Sequence, residues 1–93
     1  MATVQRRSGD VTFILNRIPM ATRVYLAGDF NNWSPSAQQM TRMQDGTFQA
    51  RVRLSRGEHQ YKFVADGVWM DDPEAAARAP NPFGTTNSVV RVS

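Results

Sequence analysis

The most distinctive side chains in this 93-residue sequence are two tryptophans, one lysine and one histidine. His59, Lys62 and Trp69 all lie within the stretch GEHQYKFVADGVWMDD, and Trp33 lies in the polar turn FNNWSPS. An indole ring offers a large flat surface, and a lysine ammonium offers three hydrogen-bond donors. This combination is more typical of a binding surface than of a catalytic centre.

The sequence lacks a recognisable set of side chains that could act as acid, base and nucleophile. Asp71 and Asp72 are adjacent, so on a strand they point to opposite faces and cannot act as a paired acid and base. The sequence has no cysteine nucleophile, and its single histidine has no recognisable nucleophile partner. A lone histidine also cannot build a metal site. We therefore expect no enzymatic activity, no metal and no cofactor.

An Asp-Gly pair, Asp66-Gly67, decides where the lysine and the second tryptophan point. Such a pair between two strand-like runs favours a type I′ turn, in which both central residues need positive φ. This turn pairs Lys62 with Asp71 and places Trp69 on the same face, within diagonal reach of the lysine. The opposite face is the more apolar and is predicted to line the core: Tyr61, Phe63, Ala65 and Met70. Lys62 and Trp69 are therefore predicted to face outward.

Two partly exposed tryptophans on so small a chain favour a binding surface. A sugar suits such a surface, because its apolar C–H face can lie flat on an indole while its hydroxyl groups need polar partners around the rim. Lys62 can supply donors, and hydrogen bonds to charged groups are the stronger kind. Residues 84–87, GTTN, are a candidate polar rim.

Length and composition describe a single globular domain. Residues 1–93 are 41% hydrophobic and 20% charged, enough for one modest core, and residues 1–10 are a candidate flexible N-terminal arm. The net charge of +3 and the scattered arginines do not indicate binding to nucleic acid or anionic lipid. No apolar run approaches the ~20 residues of a membrane span, and the N-terminus does not resemble a secretory signal. The absence of cysteine fits a reducing compartment, so the expected location is the cytoplasm.

Apolar and polar residues alternate with period two, which predicts short strands. The clearest example is TFQARVRLS, and the predicted strands lie within residues 11–16, 23–30, 47–55, 58–65, 68–72 and 87–92. Turn sequences separate them, and residues 73–83 are predicted to be a long loop in which PEAAARA could form one helical turn. Short strands at regular spacing predict an all-β fold, an antiparallel β-sandwich of immunoglobulin-like topology.

A known family shares four motifs with this sequence, in the same order: VYLAGDFNNW, GEHQYKFVADGVW, DDP and FGTTNSVV. The sequence thereby resembles carbohydrate-binding module family 48. It is most similar to the glycogen-binding domain of the AMP-activated protein kinase β subunit and to the N-terminal early-set domains of isoamylases and glycogen branching enzymes. The resemblance implies an early-set β-sandwich that binds α-1,4-linked glucans such as glycogen and starch without catalysis.

The same resemblance implies the residues that contact the sugar. Trp33 and Trp69 would be stacking platforms, and Lys62 would be the hydrogen-bonding lysine between them. Phe83 stands where the kinase branch has a leucine that pushes into the sugar helix, and Asn87 matches a sugar-binding asparagine. The implied carbohydrate-binding residues are therefore Trp33, Lys62, Trp69, Phe83, Thr85 and Asn87.

The family branch and the main role stay open at this point. Asp29 replaces the serine usual in the kinase branch but is common in the enzyme branch, and Ser88 stands where the kinase branch often has asparagine. An early-set sandwich can also serve as a scaffold, with exposed aromatic side chains anchoring an α-glucan enzyme or a kinase. For either tryptophan the alternative is burial in the core, as in many immunoglobulin-like domains.

Overall fold

The computed structural model describes residues 4–7 (backbone only), 10–16, 22–73, 75, 77–82 and 84–92. In this part of the chain, every regular secondary-structure element is a β-strand. The all-β prediction is confirmed. Within these residues there is no helix long and apolar enough to span a membrane. The strands are β1 (Val4–Arg7), β2 (Asp10–Leu15), β3 (Val24–Gly28), β4 (Thr41–Arg42), β5 (Phe48–Arg53), β6 (Gly57–Ala65), β7 (Val68–Met70), β8 (Ala77–Pro80) and β9 (Thr86–Val92).

The strands form two antiparallel sheets that pack as a sandwich. The first sheet has the order β1-β2-β5-β4, and the second has the order β3-β6-β9-β8, with β7 also pairing with β6. Each sheet thus combines strands that are distant along the chain, as expected for a sandwich of this class. The nine-residue strand β6 is the centre of the second sheet, because β3, β7 and β9 all pair with it.

Period-two alternation decides which side chains fill the space between the sheets. On β6, Tyr61, Phe63 and Ala65 are buried, as the sequence predicts, and Met70 packs against them from β7. Burying a large apolar side chain contributes about 1.5–3 kcal/mol, so this set holds the sheets together. The complete core cluster contains Val11, Phe13, Leu15, Val24, Leu26, Met40, Phe48, Ala50, Leu54, Tyr61, Phe63, Ala65, Val90 and Val92.

Three short strands, β1, β4 and β8, are not predicted by the alternation pattern. Strand β1 lies within the candidate N-terminal arm and pairs with β2 along its four residues. Strand β8 lies within residues 73–83, so the long-loop prediction is wrong at Ala77–Pro80. These residues pair with β9 instead of forming the suggested helical turn. An edge strand pairs on one side only, so it tolerates a proline that would interrupt a central strand.

The β6–β7 hairpin forms as predicted. Asp66 and Gly67 have φ angles of 49° and 85°, both positive as a type I′ turn requires. The Asp66 carboxylate also accepts hydrogen bonds from the backbone N–H groups of Thr22, at 3.0 Å, and Arg23, at 2.8 Å. The hairpin turn therefore also anchors the chain that enters β3. These backbone hydrogen bonds, first Arg23 and then Thr22, hold the pKa of Asp66 below its usual value.

A buried polar cluster joins β6 to β9 through the segment after β7. The Tyr61 hydroxyl donates to Asp72 Oδ2 at 2.6 Å, and the Asp72 backbone N–H donates to Ser88 Oγ at 2.8 Å. Asp72 is only 2% exposed, and the Arg78 guanidinium donates to its carbonyl oxygen at 3.1 Å. Burial, followed by the hydrogen bond and charge of Asp72, raises the pKa of Tyr61. Ser88 is thus a core residue that completes this cluster.

The anchoring role of Asp66 predicts a loss of stability in acid. A lowered pKa means that the stabilisation is fully present above about pH 4 and is lost as the pH falls through the folded-state value. Asp66→Asn keeps a residue that type I′ turns accept but removes the titration. We expect the melting temperature of Asp66→Asn to fall less than that of the wild type between pH 5 and pH 2, measured by circular dichroism. Parallel acid profiles would contradict this role.

The buried cluster predicts that Tyr61→Phe destabilises the fold. The substitution removes the hydroxyl donor to a buried carboxylate while preserving the aromatic ring, which should cost about 1–3 kcal/mol. Urea unfolding measures the change in the free energy of unfolding. Tyr25→Phe is the matched control, because Tyr25 is only half-buried, on β3. A Tyr61→Phe cost no larger than that of the control would show that the Asp72 bond contributes little.

Candidate functional site

A groove of about 670 Å³ runs along the outward side of the second sheet, opposite the core. It follows from the alternation on β6, where the buried Tyr61 and Phe63 alternate with the outward Gln60 and Lys62. Five of the six residues predicted to contact sugar line it. The predicted Phe83 lies outside the described residues. The groove is lined by Asp29, Trp33, Gln60, Lys62, Trp69, Asn81, Pro82, Thr85 and Asn87.

The Trp69 indole faces outward from β7, as the hairpin register predicts. Trp69 is 44% exposed, and its cross-strand partner Val64 is only 3% exposed although it points to the same face. Val64 lies between Tyr25 on β3 and Trp69 on β7 in the pairing register. Because the indole is exposed and lies outside the core cluster, the alternative of core burial is wrong for Trp69.

The loop after β3 holds Trp33 in the groove. The Asn31 side chain accepts from the Gly28 backbone N–H and donates to the Leu26 carbonyl, both at 3.0 Å. The Trp33 backbone N–H donates to the Gly28 carbonyl oxygen at 2.8 Å. Asn32 and Trp33 both have a φ of 57°, a conformation that side-chain-bearing residues seldom adopt. The Asn31 bonds stabilise this turn, and Trp33 is half-buried outside the core cluster.

The Asp29 side chain connects the Trp33 loop to β6 through polar contacts. Its carboxylate accepts from the Gln60 backbone N–H at 2.9 Å and lies 3.1 Å from His59 Nδ1. The other ring nitrogen, Nε2, lies 2.9 Å from the Ser55 carbonyl oxygen and 3.4 Å from the Ser55 hydroxyl oxygen. These contacts place the imidazole between the loop and the segment before β6.

The Asp29, His59 and Ser55 side chains lie in the order of a catalytic triad, which the sequence did not reveal. A triad requires a short hydrogen bond from the nucleophile to the base. Here Nε2 has its shorter contact with the backbone carbonyl, and the described groove lining includes neither His59 nor Ser55. The arrangement is therefore structural. Among the described residues, no group of three or more potential ligands is arranged to hold a metal ion.

A chain of amide side chains forms the polar rim of the groove. Asn87 Nδ2 donates to Gln60 Oε1 at 2.9 Å, and Asn87 Oδ1 accepts from Asn81 Nδ2 at 3.0 Å. Asn81 Nδ2 also donates to Thr85 Oγ1 at 2.7 Å, and the Thr85 N–H donates back to Asn81 Oδ1 at 3.2 Å. Sequence reasoning missed Gln60 and Asn81. Period two from Lys62 would have placed Gln60 on the groove face, whereas Asn81 depends on the unpredicted β8.

Lys62 is held by an ion pair at the side of the groove. Lys62 Nζ donates to Asp71 Oδ1 at 2.9 Å, and Thr86 Oγ1 donates to Asp71 Oδ2 at 3.1 Å. Partial burial alone would raise the pKa of Asp71, but the hydrogen bonds from Lys62 and Thr86 outweigh it and hold this pKa below its usual value. The carboxylate therefore stays ionised beside the lysine at neutral pH.

Comparison with known proteins identifies the family. The family model described as the glycogen recognition site of AMP-activated protein kinase matches residues 11–93. This chain belongs to that glycogen-recognition family. The 5'-AMP-activated protein kinase subunit β-1 is 45% identical in Rattus norvegicus and 44% identical in Homo sapiens, over 69 residues. Subunit β-2 of Mus musculus is 39% identical over the same length.

The matched stretch covers 74% of this chain and 24% of each of these three relatives. The chain therefore corresponds to about a quarter of their length. The predicted resemblance to a glycogen-binding module is confirmed, and these relatives are from the kinase branch that the sequence left open.

The close approach at Gly28 predicts that Gly28→Ala moves the Trp33 loop. A Cβ there would lie 2.7 Å from the Gln60 carbonyl oxygen and closer still to the Phe30 ring. The backbone oxygen cannot move aside, so we expect a cost of about 1–3 kcal/mol in the free energy of unfolding and an altered indole emission spectrum.

Gly57→Ala is the control for this prediction. Its Cβ would meet no atom within 4 Å, although its φ of 123° makes alanine strained. We expect Gly57→Ala to lower stability without changing the tryptophan emission of the folded protein. If Gly28→Ala leaves both stability and emission unchanged, the contact at Gly28 does not position Trp33.

Proposed function

We propose that this chain binds α-1,4-linked glucans, such as glycogen, starch and maltooligosaccharides, and catalyses no reaction on them. The observation that supports this function most directly is that both tryptophans, Trp33 and Trp69, line one groove together with the only lysine of the chain. The family match supplies the class of ligand, because that family is described as a glycogen recognition site. In this proposal, residues 1–93 act as one binding domain.

The two indoles act as stacking platforms for glucose rings. The apolar C–H face of a pyranose covers an indole and removes it from water, which contributes most of the binding free energy. Trp33 comes from the loop after β3 and Trp69 from β7, so two separate elements supply the platforms. The hydrogen bonds of Asn31 and Asp29 already hold the Trp33 loop, so less conformational entropy is lost when the sugar binds.

The polar rim accepts and donates hydrogen bonds to the sugar hydroxyl groups. One of the three N–H donors of Lys62 goes to Asp71, which leaves the others directed away from that carboxylate. The Asn87 amide and the Thr85 hydroxyl are both donors and acceptors, as hydroxyl groups require. Phe83, which the family resemblance implies as a sugar-contacting residue, belongs to the same proposal.

The relatives suggest the setting in which the groove works. They are named as subunits of 5'-AMP-activated protein kinase, and this chain corresponds to about a quarter of their length. We propose that the domain serves a catalytic or kinase partner by bringing it to glucan, in the cytoplasm. Nucleic acid and membranes are not proposed as ligands.

A second candidate role is docking of a protein partner at the hairpin tip. Val68 is 66% exposed beside Trp69, so the tip presents adjacent apolar side chains to solvent. In that role the indole would be an anchor for a protein surface. Val68 points away from the groove face. Protein docking at the hairpin tip would therefore depend on Val68, whereas glucan binding in the groove would not.

The glucan proposal predicts that Trp69→Ala abolishes retardation in a native gel containing glycogen or amylopectin. Removing one stacking platform should also weaken maltoheptaose binding by about 10-fold or more, measured by tryptophan fluorescence, because a buried aromatic side chain contributes about 1.5–3 kcal/mol. Val68→Ala is the matched control and should be retarded like the wild type. A wild-type protein that migrates freely through both gels would rule out the glucan role.

A further inference from the structure

The positive charge of the groove, among its described lining residues, comes from a single cation. Lys62 is the only lysine or arginine among the described residues that line the groove. Its side chain is only 16% exposed, so the ammonium is partly removed from water. A partly buried cation needs a fixed partner, because burial without one disfavours its charge. The surroundings of Lys62 therefore influence which ligands the groove accepts.

Asp71 supplies that partner, and it is itself held in place. One carboxylate oxygen accepts from Lys62 Nζ at 2.9 Å, and the other accepts from Thr86 Oγ1 at 3.1 Å. Lys62 is on β6, Thr86 is on β9, and Asp71 directly follows β7. All three elements belong to the second sheet, so the carboxylate is fixed by two strands that pair with each other.

We propose that Asp71 is a positioning residue that orients the Lys62 ammonium for neutral glucan hydroxyls and disfavours anionic sugars in the groove. This inference rests on the proposed glucan binding and specifies its ligand class. Lysine has a rotamer-rich side chain, and a lysine already held by Asp71 has less freedom to lose when sugar binds. The carboxylate thus improves affinity without touching the ligand.

The second half of the proposal follows from the balance of charge. An unpaired ammonium would attract a sugar phosphate and could hydrogen-bond its oxygens. Here the carboxylate of Asp71 offsets the ammonium, and Asp29 is the carboxylate among the described residues of the groove lining. A phosphorylated glucan in the groove would therefore meet an ammonium already offset by Asp71 together with the carboxylate of Asp29, and like charges repel within a few ångströms. A neutral glucan meets no such penalty.

Two substitutions at Asp71 separate orientation from charge. Asp71→Ala removes both acceptor oxygens and should weaken maltoheptaose binding by about 3- to 10-fold, the value of one hydrogen-bonded contact. Asp71→Asn keeps one acceptor oxygen, so its loss for maltoheptaose should be smaller. We also compare the affinity for maltoheptaose bearing one glucose 6-phosphate with the affinity for neutral maltoheptaose. The ratio of these two affinities should be about 3-fold or more higher in both variants than in the wild type. Tryptophan fluorescence titrations at fixed ionic strength measure all of these affinities.

Two further variants serve as controls. Asp45→Asn removes one negative charge in the turn between β4 and β5 of the other sheet and should leave the ratio of the two affinities unchanged. In a Lys62→Met background, Asp71→Ala should cause no further loss for maltoheptaose, because there is no ammonium left to orient. Thermal unfolding of each variant checks that it is folded, and Asp71→Asn decides the outcome if Asp71→Ala does not fold.

The outcomes distinguish this inference from the proposed function beneath it. If the wild type fails to bind maltoheptaose, glucan binding itself is wrong. If the wild type binds but both Asp71 variants keep its affinities for neutral and phosphorylated sugar, only the role of Asp71 is wrong. Equal losses from Asp71→Ala with and without Lys62 would likewise show that Asp71 does not act through the lysine.

Discussion

The pleat of β6 is the constraint on which the rest of this structure depends. Tyr61 and Phe63 point into the core, and Gln60 and Lys62 point into the groove, so one strand contributes to both. A slip of one residue would exchange these sets, burying an amide and an ammonium and exposing two aromatic rings. The free energy of core burial therefore also fixes the groove, because the two faces cannot change independently.

Aspartates connect the groove-forming segments to this strand and its neighbours. Asp29 joins the Trp33 loop to β6, Asp66 joins the hairpin turn to the chain entering β3, and Asp71 holds Lys62. Asp72 points inward and binds Tyr61 and, through its backbone, Ser88. Adjacent residues of the same type thus have different roles, because the backbone sends successive side chains to opposite faces.

The groove has the properties of a recognition surface. Its amide rim is held by hydrogen bonds within the protein that join Gln60, Asn87, Asn81 and Thr85. Such preorganisation suits a ligand made of repeated, uncharged units, because many weak contacts can form without rearranging the protein.

The sequence alone determined those features that depend on residues close together along the chain. Period two gave the main strands, and Asp66-Gly67 gave the hairpin register and hence the outward direction of Trp69. Family motifs identified most of the groove residues, including Asn87. Contacts between distant segments were decided only by the tertiary structure: Asp29 with His59, Gln60 with Asn87, and the edge strand β8 that presents Asn81. These contacts arise because the tertiary structure brings together strands that are far apart in the sequence. No local sequence pattern specifies which distant strands pair.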